Sequence, residues 1–499
     1  MRGTRTEAAA VPTYAIALLA VGLALAFRLP TLAMLPAWGD EVITIHTISL
    51  PTLELIADRF RATHMPTYWL LLQALGLDGS SLFLLRLPGA LVDSLGAGLL
   101  ALIACRLGSW RAGVALAAIY AAMPIILVEA QDSRPYPFFF ACVSLLLFAA
   151  MRLVDHPRLA ASAWRRTARP AARRLRRTWI LCALAGFGAV ALLPLGVFAI
   201  GAVDLAVLYL VLRRRSPLFW PWLLQRLLTL LLLVPLLYGY ASHAGKLAGH
   251  YWYEGTLVLL LRTLRVADGA GIDWDPNIYL AYWGNRVLMI LLLALVAGGI
   301  VWARKRAGFA LVLALAFGTQ LLLIAVSQHT PPYTPRYFAV ATPSLALLAA
   351  CGLAGLWQRR DLVAVGVASV FFFLLVLQTL DAMNQGDKPR FDRAAERLRQ
   401  SGVEEFGYYA STDNLAMSVD FALAQGPRPL RLKPWEVVTQ PRAGLLVWVI
   451  DARRVERRWV EAARFAGLAT CRPQVSSLKI LALAAEAAAL EASCPAPQP

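Results

Sequence analysis

The chain has 499 residues, 59% of them hydrophobic and only 16% charged, with a mean hydropathy of +0.60. A soluble domain is nearer half apolar and a quarter charged, so this chain uses lipid as its solvent, and its continuous apolar runs exclude the alternating pattern of a β-barrel. A net charge of +18 would suit a nucleic-acid binder, but much of the arginine lies in short loops between apolar segments, so no nucleic-acid partner is expected.

Those loops are "MRGTR" at the start, "CRLGSWR" at 105–111, the stretch from Arg152 to Arg177, "RRR" at 213–215, "RKR" at 304–306 and "QRRD" at 358–361. Placed in the cytoplasm, they orient spanning segments expected at 13–34, 82–104, 112–128, 136–151, 179–195, 196–212, 222–240, 283–302, 308–326, 338–357 and 362–380. That makes an α-helical polytopic membrane protein of about eleven transmembrane helices, with every second loop basic. Pro194 and Gly196 mark the turn within 179–212. Ala24 and Ala26 offer an A-x-A cleavage site, but the first apolar run is long for a signal peptide and reads as an uncleaved helix. Cys105, Cys142, Cys182 and Cys351 fall in apolar segments as small buried hydrophobes. Cys471 and Cys494 can form a disulfide if the tail lies in an oxidising compartment.

The first outer loop, about 35–81, opens with "LPAWGDEVIT" and so carries two adjacent carboxylates, Asp40 and Glu41. Such a pair can serve as general base, metal ligand or ion-pair partner, and consecutive side chains point in different directions, so the two are not expected to share one job. Gly39 and Trp38 suggest an ordered turn there. Leu53, Ile56, Ala57 and Phe60 then repeat at helical spacing, as in a short helix lying along the membrane surface. His64 follows, before Pro66, in a loop returning to the membrane. "TYWLLLQALGL" at 67–77 is too short to span and reads as a second interfacial helix with Tyr68 and Trp69 at headgroup level, or else as a re-entrant or core helix.

The next outer turn, "EAQDSRPYPFFF" at 129–140, gathers Glu129, Asp132, Arg134 and Tyr136. An arginine on this side does not set topology, and its planar fork of donors suits a phosphate at headgroup depth. The central outer loop, about 241–282, contains "HAGKLAGHYWYEG" with Lys246, His250 and Tyr253. A late outer loop, "SQHTPPYTPRYF" at 327–338, places Arg336 and Tyr337 at the mouth of a helix, where interface anchoring is the plainer account. From about 381 to the end the chain turns polar and alternates helices with strands, as in a small α/β domain outside the membrane. Its strand-like stretches are "EEFGYYAS", "GLLVWVIDA" and "VSSLKILALA".

Together, "WGDE", the H-x-P-x-Y spacing from His64 to Tyr68, "SRPY" and the outer "PRY" resemble the GT-C glycosyltransferases, among them the protein O-mannosyltransferases and the enzyme that adds aminoarabinose to lipid A. The resemblance covers the membrane part, most specifically its first 150 residues, and departs from the family at His64-Met65-Pro66-Thr67, where one proline of the usual "HPPL" is missing. It implies a GT-C-like catalytic domain over 1–380, next to the non-cytoplasmic α/β domain that the alternation of helices and strands gives over 381–499. It further implies a sugar moved from a polyprenyl-phosphate donor to a lipid, glycan or protein acceptor on the non-cytoplasmic face, with inversion. In such a site Asp40, with Glu41 beside it, would activate the acceptor, and Arg134 or Arg336 would hold the donor phosphate. Tyr136, Lys246 and Tyr337 join the donor-binding candidates, and His64, His250 and Tyr253 the other substrate-site candidates. No cofactor is certain. His and carboxylate side chains leave room for a divalent metal, but no ligand spacing supports one.

The Ala/Leu/Arg-rich composition hints at a bacterium, whose inner membrane would then hold the chain with the site and tail on the periplasmic or extracellular side. Two other classes compete. Asp93 and Asp204 fall inside apolar segments, and intramembrane acids often mark ion pathways, so a transporter or flippase is the chief rival. These acids can instead pair with serine or backbone groups within the bundle. An assembly protein that recruits partners through its tail is the third class, and it would need neither the acid pair nor the outer arginines.

Overall fold

The computed structural model describes residues 13–34, 37, 39–154, 169–213, 219–244, 279–306, 308–327, 340–385 and, in the tail, 405–410, 430–432, 445–451, 466, 468–471, 474–475 and 478–484. The helices are α1 Thr13–Arg28, α2 Gly39–Ile48, α3 Thr52–Arg61, α4 Thr67–Ala74, α5 Leu82–Leu107, α6 Trp110–Ala121, α7 Pro124–Ala130 and α8 Tyr136–Val154. They continue as α9 Arg169–Leu192, α10 Gly196–Arg213, α11 Phe219–Ala244, α12 Tyr279–Ala303, α13 Phe309–Leu313, α14 Thr319–Ser327, α15 Thr342–Arg359 and α16 Asp361–Gln385. A π-helical turn, Ala314–Gly318, joins α13 to α14.

A helix lies at each apolar segment expected from the sequence. By length and composition, seven of the described helices can cross a membrane, or eight if α6 and α7 form one span. Those two are bent by 61°. The break has a local cause: Met123 precedes Pro124 and takes an extended conformation, which the proline ring favours over the helical one. The hydroxyl of Thr379 on α16 donates to the Ala122 carbonyl, satisfying a group that the break strips of its helical partner. Helix α9 starts ten residues earlier than the apolar run, at Arg169, because Pro170 suits a first turn and the arginines that follow are good helix formers.

The chain divides into two compact units, residues 1–32 with 50–385, and 33–49 with 386–499. In the first unit, α1, α5, α6 and α8 surround a core of small and branched side chains, and α12 runs against α15. The α12–α15 crossing is set by glycine. A Cβ on Gly299 would lie 1.9 Å from the Leu348 carbonyl oxygen, and one on Gly352 would lie 1.9 Å from that of Leu295. Without side chains the two backbones touch, the route by which helices associate where lipid removes the hydrophobic drive.

Two acids within the helices of this unit are paired with arginines. Arg28, at the end of α1, meets Asp93 of α5 at 2.6 Å with both side chains fully buried, and the Tyr120 hydroxyl of α6 donates to the same carboxylate at 2.8 Å. Asp204 of α10 accepts from Arg226 Nε of α11 at 2.8 Å, and that guanidinium lies 4.4 Å over the Trp222 ring. The acids that raised the transporter reading are thus held by arginines. The sequence expectation of serine or backbone partners is corrected: the partners are arginines, whose opposite charge offsets more of the cost of burying a carboxylate than a neutral donor does.

In the second unit, six strands form one sheet: β1 Glu405–Ala410, β2 Leu430–Arg431, β3 Leu445–Asp451, β4 Ala469–Cys471, β5 Gln474–Val475 and β6 Leu478–Ala484. The order is β2-β1-β3-β6-β4, with β5 also on β6. Strand β1 is parallel to β2 and β3, while β6 is antiparallel to β3, β4 and β5. The three expected strands are β1, β3 and β6. The helices expected between them, and the partner of Cys471 at Cys494, lie outside the described residues.

Gly299→Ala or Gly352→Ala should destabilise the protein by about 1–3 kcal/mol through overpacking. Gly366→Ala on α16, where a Cβ meets nothing within 4 Å, should not. Detergent-phase thermal unfolding of the three variants checks this. Asp93→Asn leaves Arg28 buried without a counter-charge and should cost about 3–5 kcal/mol, read as lost expression and a lower Tm.

Candidate functional site

The site is assembled where the first loop meets the turn between α7 and α8. Helix α3 begins after Pro51, whose fixed backbone suits a helix entrance, and ends in a Schellman turn. There the His64 amide donates to the Arg59 carbonyl at 2.8 Å and the Thr63 amide to that of Phe60 at 2.9 Å. The left-handed position of this turn, usually glycine, is Thr63, at φ 58°. A side chain there costs roughly 1–2 kcal/mol, and a β-branched one is an outlier. The turn reverses the chain so that His64 comes back over its own helix.

Helix α4 locks the reversal. Its Gln73 side chain donates to the Leu50 carbonyl at 2.8 Å and accepts from Thr52 at 3.0 Å, tying the end of α4 to the start of α3. The Trp69 indole then serves two neighbours. His64 stacks on it, centroids 5.7 Å apart at 25°, and the Arg59 guanidinium lies 4.9 Å over it. Arg59 also binds the Asp58 carboxylate through Nε at 3.0 Å. Tyr68 and Trp69 are buried in the protein, as the core-helix alternative for 67–77 expects. Leu53 and Ala57 do point outward, while Phe60 fits against Gly239 of α11.

The second wall is the 131–135 turn. Asp132 N donates to the Glu129 carbonyl at 3.2 Å and Arg134 N to that of Asp132 at 2.8 Å, so the chain folds tightly between α7 and α8. Two side chains of this turn anchor it. Gln131 donates to the Arg28 carbonyl at 3.2 Å and also bonds Thr31, and Ser133 shares a hydrogen bond of 3.1 Å with the Tyr68 hydroxyl. Arg134 lies close enough to His64 for its charge to act on the imidazole. Burial, then Arg134, then Arg59 hold the His64 pKa down, from 6.5 to about 3. The imidazole is therefore neutral at pH 7 and sits beside two guanidinium groups, of which Arg59 is paired with Asp58.

Of the residues singled out in the sequence, His64 and Arg134 come together. Tyr136 opens α8 as expected, but its ring is buried in the bundle core against Phe140, 6.3 Å between centroids. Asp40 and Glu41 open a helix, α2, rather than a turn, and sit in its first turn where the helix dipole favours carboxylates. Glu41 is fully buried and Asp40 part-exposed, so the two acids have different surroundings. The Thr44 hydroxyl donates to the Asp40 carbonyl at 3.1 Å. These acids belong to the second unit, His64 and Arg134 to the first. Lys246, His250, Tyr253, Arg336 and Tyr337 lie outside the described residues. Among the described residues no three His, Cys, Asp or Glu side chains gather as a metal site.

Arg59, Trp69 and Ser133 went unrecognised in the sequence. A signal for Arg59 existed: it follows Leu55 by four residues, and both are on the buried face of α3. The apolar face drawn through Leu53, Ile56, Ala57 and Phe60 hid it.

No protein-family model matches the chain, and no curated protein does. Solved structures match over most of its length. ArnT from Cupriavidus metallidurans, bound to undecaprenyl phosphate, superposes with a TM-score of 0.57 at 15% identity, covering 96% of this chain and 99% of that one. The oligosaccharyltransferase AglB from Archaeoglobus fulgidus, in complex with an inhibitory peptide and a dolichol-phosphate, gives 0.52 at 10% identity, covering 88% of this chain and 69% of that one. The chain shares the fold of these two structures, in line with the resemblance drawn from its sequence.

The His64 environment has a pH signature. Below pH 6.5 the unfolded chain takes up a proton that the folded imidazole refuses until about pH 3. The stabilisation is present above 6.5 and is lost progressively as pH falls through that window. Tm measured from pH 7 to pH 4 should fall less steeply in His64→Gln than in the wild type. Parallel curves would mean that the imidazole titrates normally.

Proposed function

We propose that this protein is a multi-pass membrane glycosyltransferase that takes its sugar from a polyprenyl-phosphate donor and passes it, with inversion, to a lipid, glycan or protein acceptor on the non-cytoplasmic face. The observation that carries the reading is the convergence of Arg134 and Arg59 on a neutral histidine where the first loop meets the 131–135 turn. ArnT, which shares that fold, is bound to undecaprenyl phosphate, and AglB to a dolichol-phosphate. A lipid phosphate is the anion such a cluster suits.

The chemistry follows from charge. Asp40 takes the proton of the acceptor hydroxyl as its oxygen attacks the anomeric carbon. The bond from that carbon to the phosphate oxygen breaks, and the polyprenyl phosphate leaves with one more negative charge than it carried in the donor. Arg134, carried on the turn, meets that added charge, with Arg59, laid on Trp69 and paired with Asp58, beside it. His64, neutral, both donates and accepts hydrogen bonds and adds no competing positive charge. Phosphate leaves readily, so a single carboxylate suffices, and a single displacement inverts the sugar. Glu41, Tyr136, Lys246, His250, Tyr253, Arg336 and Tyr337 remain proposed donor or acceptor contacts on the strength of the sequence resemblance.

The test uses full-length protein in nanodiscs with a panel of polyprenyl-phosphate sugars and crude envelope acceptors. Asp40→Asn should fold and lose about 10²–10⁴-fold in turnover. Arg134→Ala and Arg59→Ala should each lower kcat/KM by about 10- to 100-fold, the worth of a charge-assisted hydrogen bond to phosphate. Turnover that survives Asp40→Asn removes that residue as the base. Absence of transfer from every donor by well-folded protein rejects the proposal.

A further inference from the structure

At the other end of the bundle, a different cluster forms where α5 turns into α6, α12 ends and α15 ends. Helix α5, 26 residues and so about 39 Å long at 1.5 Å per residue, passes the 131–137 segment near Gly89 and ends at this cluster. Three tryptophans meet here. Trp110 and Trp357 pack edge to face, 6.0 Å between centroids, and the Trp302 ring lies against Gly108 and Gly355, where a Cβ would come within 2.7 and 2.9 Å of it. Arg111 has its guanidinium 5.6 Å from the Trp110 ring and 5.1 Å from the Trp357 ring, and Arg306 lies 5.8 Å over Trp302.

Around these rings stand Arg106, Arg304, Lys305, Arg359 and Arg360, all exposed. The three short segments 105–111, 302–308 and 355–361 thus carry seven basic side chains and a single acid, Asp361. Among the described residues no carboxylate pairs with Arg111 or Arg306. The general bias of cytoplasmic loops toward arginine explains the sign of this charge. It does not explain why two of the cations are laid on indole rings, Arg111 from the start of α6 and Arg306 from the turn after α12.

Stacking holds a guanidinium by its face and leaves its edge, with the N–H donors, to a ligand in the same plane. Two such edges, surrounded by five further cations and floored by aromatic rings, match a ligand with two phosphates, an apolar body and access from within the bilayer. We infer that this cluster is a binding site for an anionic phospholipid headgroup, in particular one bearing two phosphodiesters as cardiolipin does, in the leaflet opposite the His64 site. Basic pockets between helix ends on the cytoplasmic side take such headgroups. The site is independent of the proposed transfer reaction and needs only that the bundle spans a bilayer.

Native mass spectrometry of the full-length protein, extracted in mild detergent and supplied with cardiolipin or phosphatidylcholine, tests this. The wild type should retain one cardiolipin and discriminate against phosphatidylcholine. Arg111→Gln with Arg306→Gln should lower that retention by about fivefold for each charge removed. Arg213→Gln, an exposed arginine bonded to Tyr209 on α10, should change it by less than about twofold. If the double variant does not fold, Arg359→Gln with Arg360→Gln on the exposed helix end gives the same readout. Equal loss in Arg213→Gln reduces the site to general charge and overturns the proposal. So does undiminished retention in the folded variants, equal retention of phosphatidylcholine, or displacement by millimolar inorganic pyrophosphate.

Discussion

The ion pair between Arg28 and Asp93 is the constraint from which the rest of the site takes its position. Neither charge can reach water, so each must find the other, and Tyr120 supplies the hydrogen bond that completes the carboxylate's surroundings. The pair fastens the end of α1 to the middle of α5 and the end of α6. The Arg28 backbone then accepts from Gln131, three residues before Arg134. Two residues later, Ser133 is bonded to Tyr68 of α4. The proposed phosphate-binding arginine thus follows directly on two anchors, one reaching the bundle interior and the other the first loop.

What the sequence made legible, and what it did not, divides along one physical line. Continuous apolar runs must be helical in lipid, so the helices could be placed from hydropathy alone, while the break at Met123-Pro124 inside one of them shows only in the structure. Paired charges could not be placed, because Arg28 and Asp93 are 65 residues apart and an apolar stretch says nothing about which neighbour it will meet. Asp204 and Arg226 pose the same problem. In the tail, β1, β3 and β6 were visible as β-rich stretches, whereas two- or three-residue strands such as β2 and β5 exist only through pairing and leave no signature.

The site was legible in its chemistry more than in its membership. His64 and Arg134 stood out as polar residues on outer loops, and the structure brings them together. Arg59 was hidden by a helix whose outward side carries the obvious apolar spacing. Tyr136, conspicuous beside Arg134, has its ring in the core, because a residue opening a buried helix is turned by that helix and not by its sequence neighbour. The helix formed by Gly39–Ile48 escaped notice since its apolar content is diluted by Asp40, Glu41, Thr44, His46 and Thr47.

The left-handed threonine at position 63 has a consequence for how this loop behaves. A glycine there would hold the same turn at no steric cost, but would also be at ease in many others. Threonine makes the observed turn unfavourable in isolation, so it persists only while Trp69, Gln73 and the 131–135 turn stay in place around it. The loop is a loaded spring held shut by its neighbours. Loss of the Trp69 or Gln73 contacts therefore weakens the reversal that carries His64 more than it would with glycine at the turn.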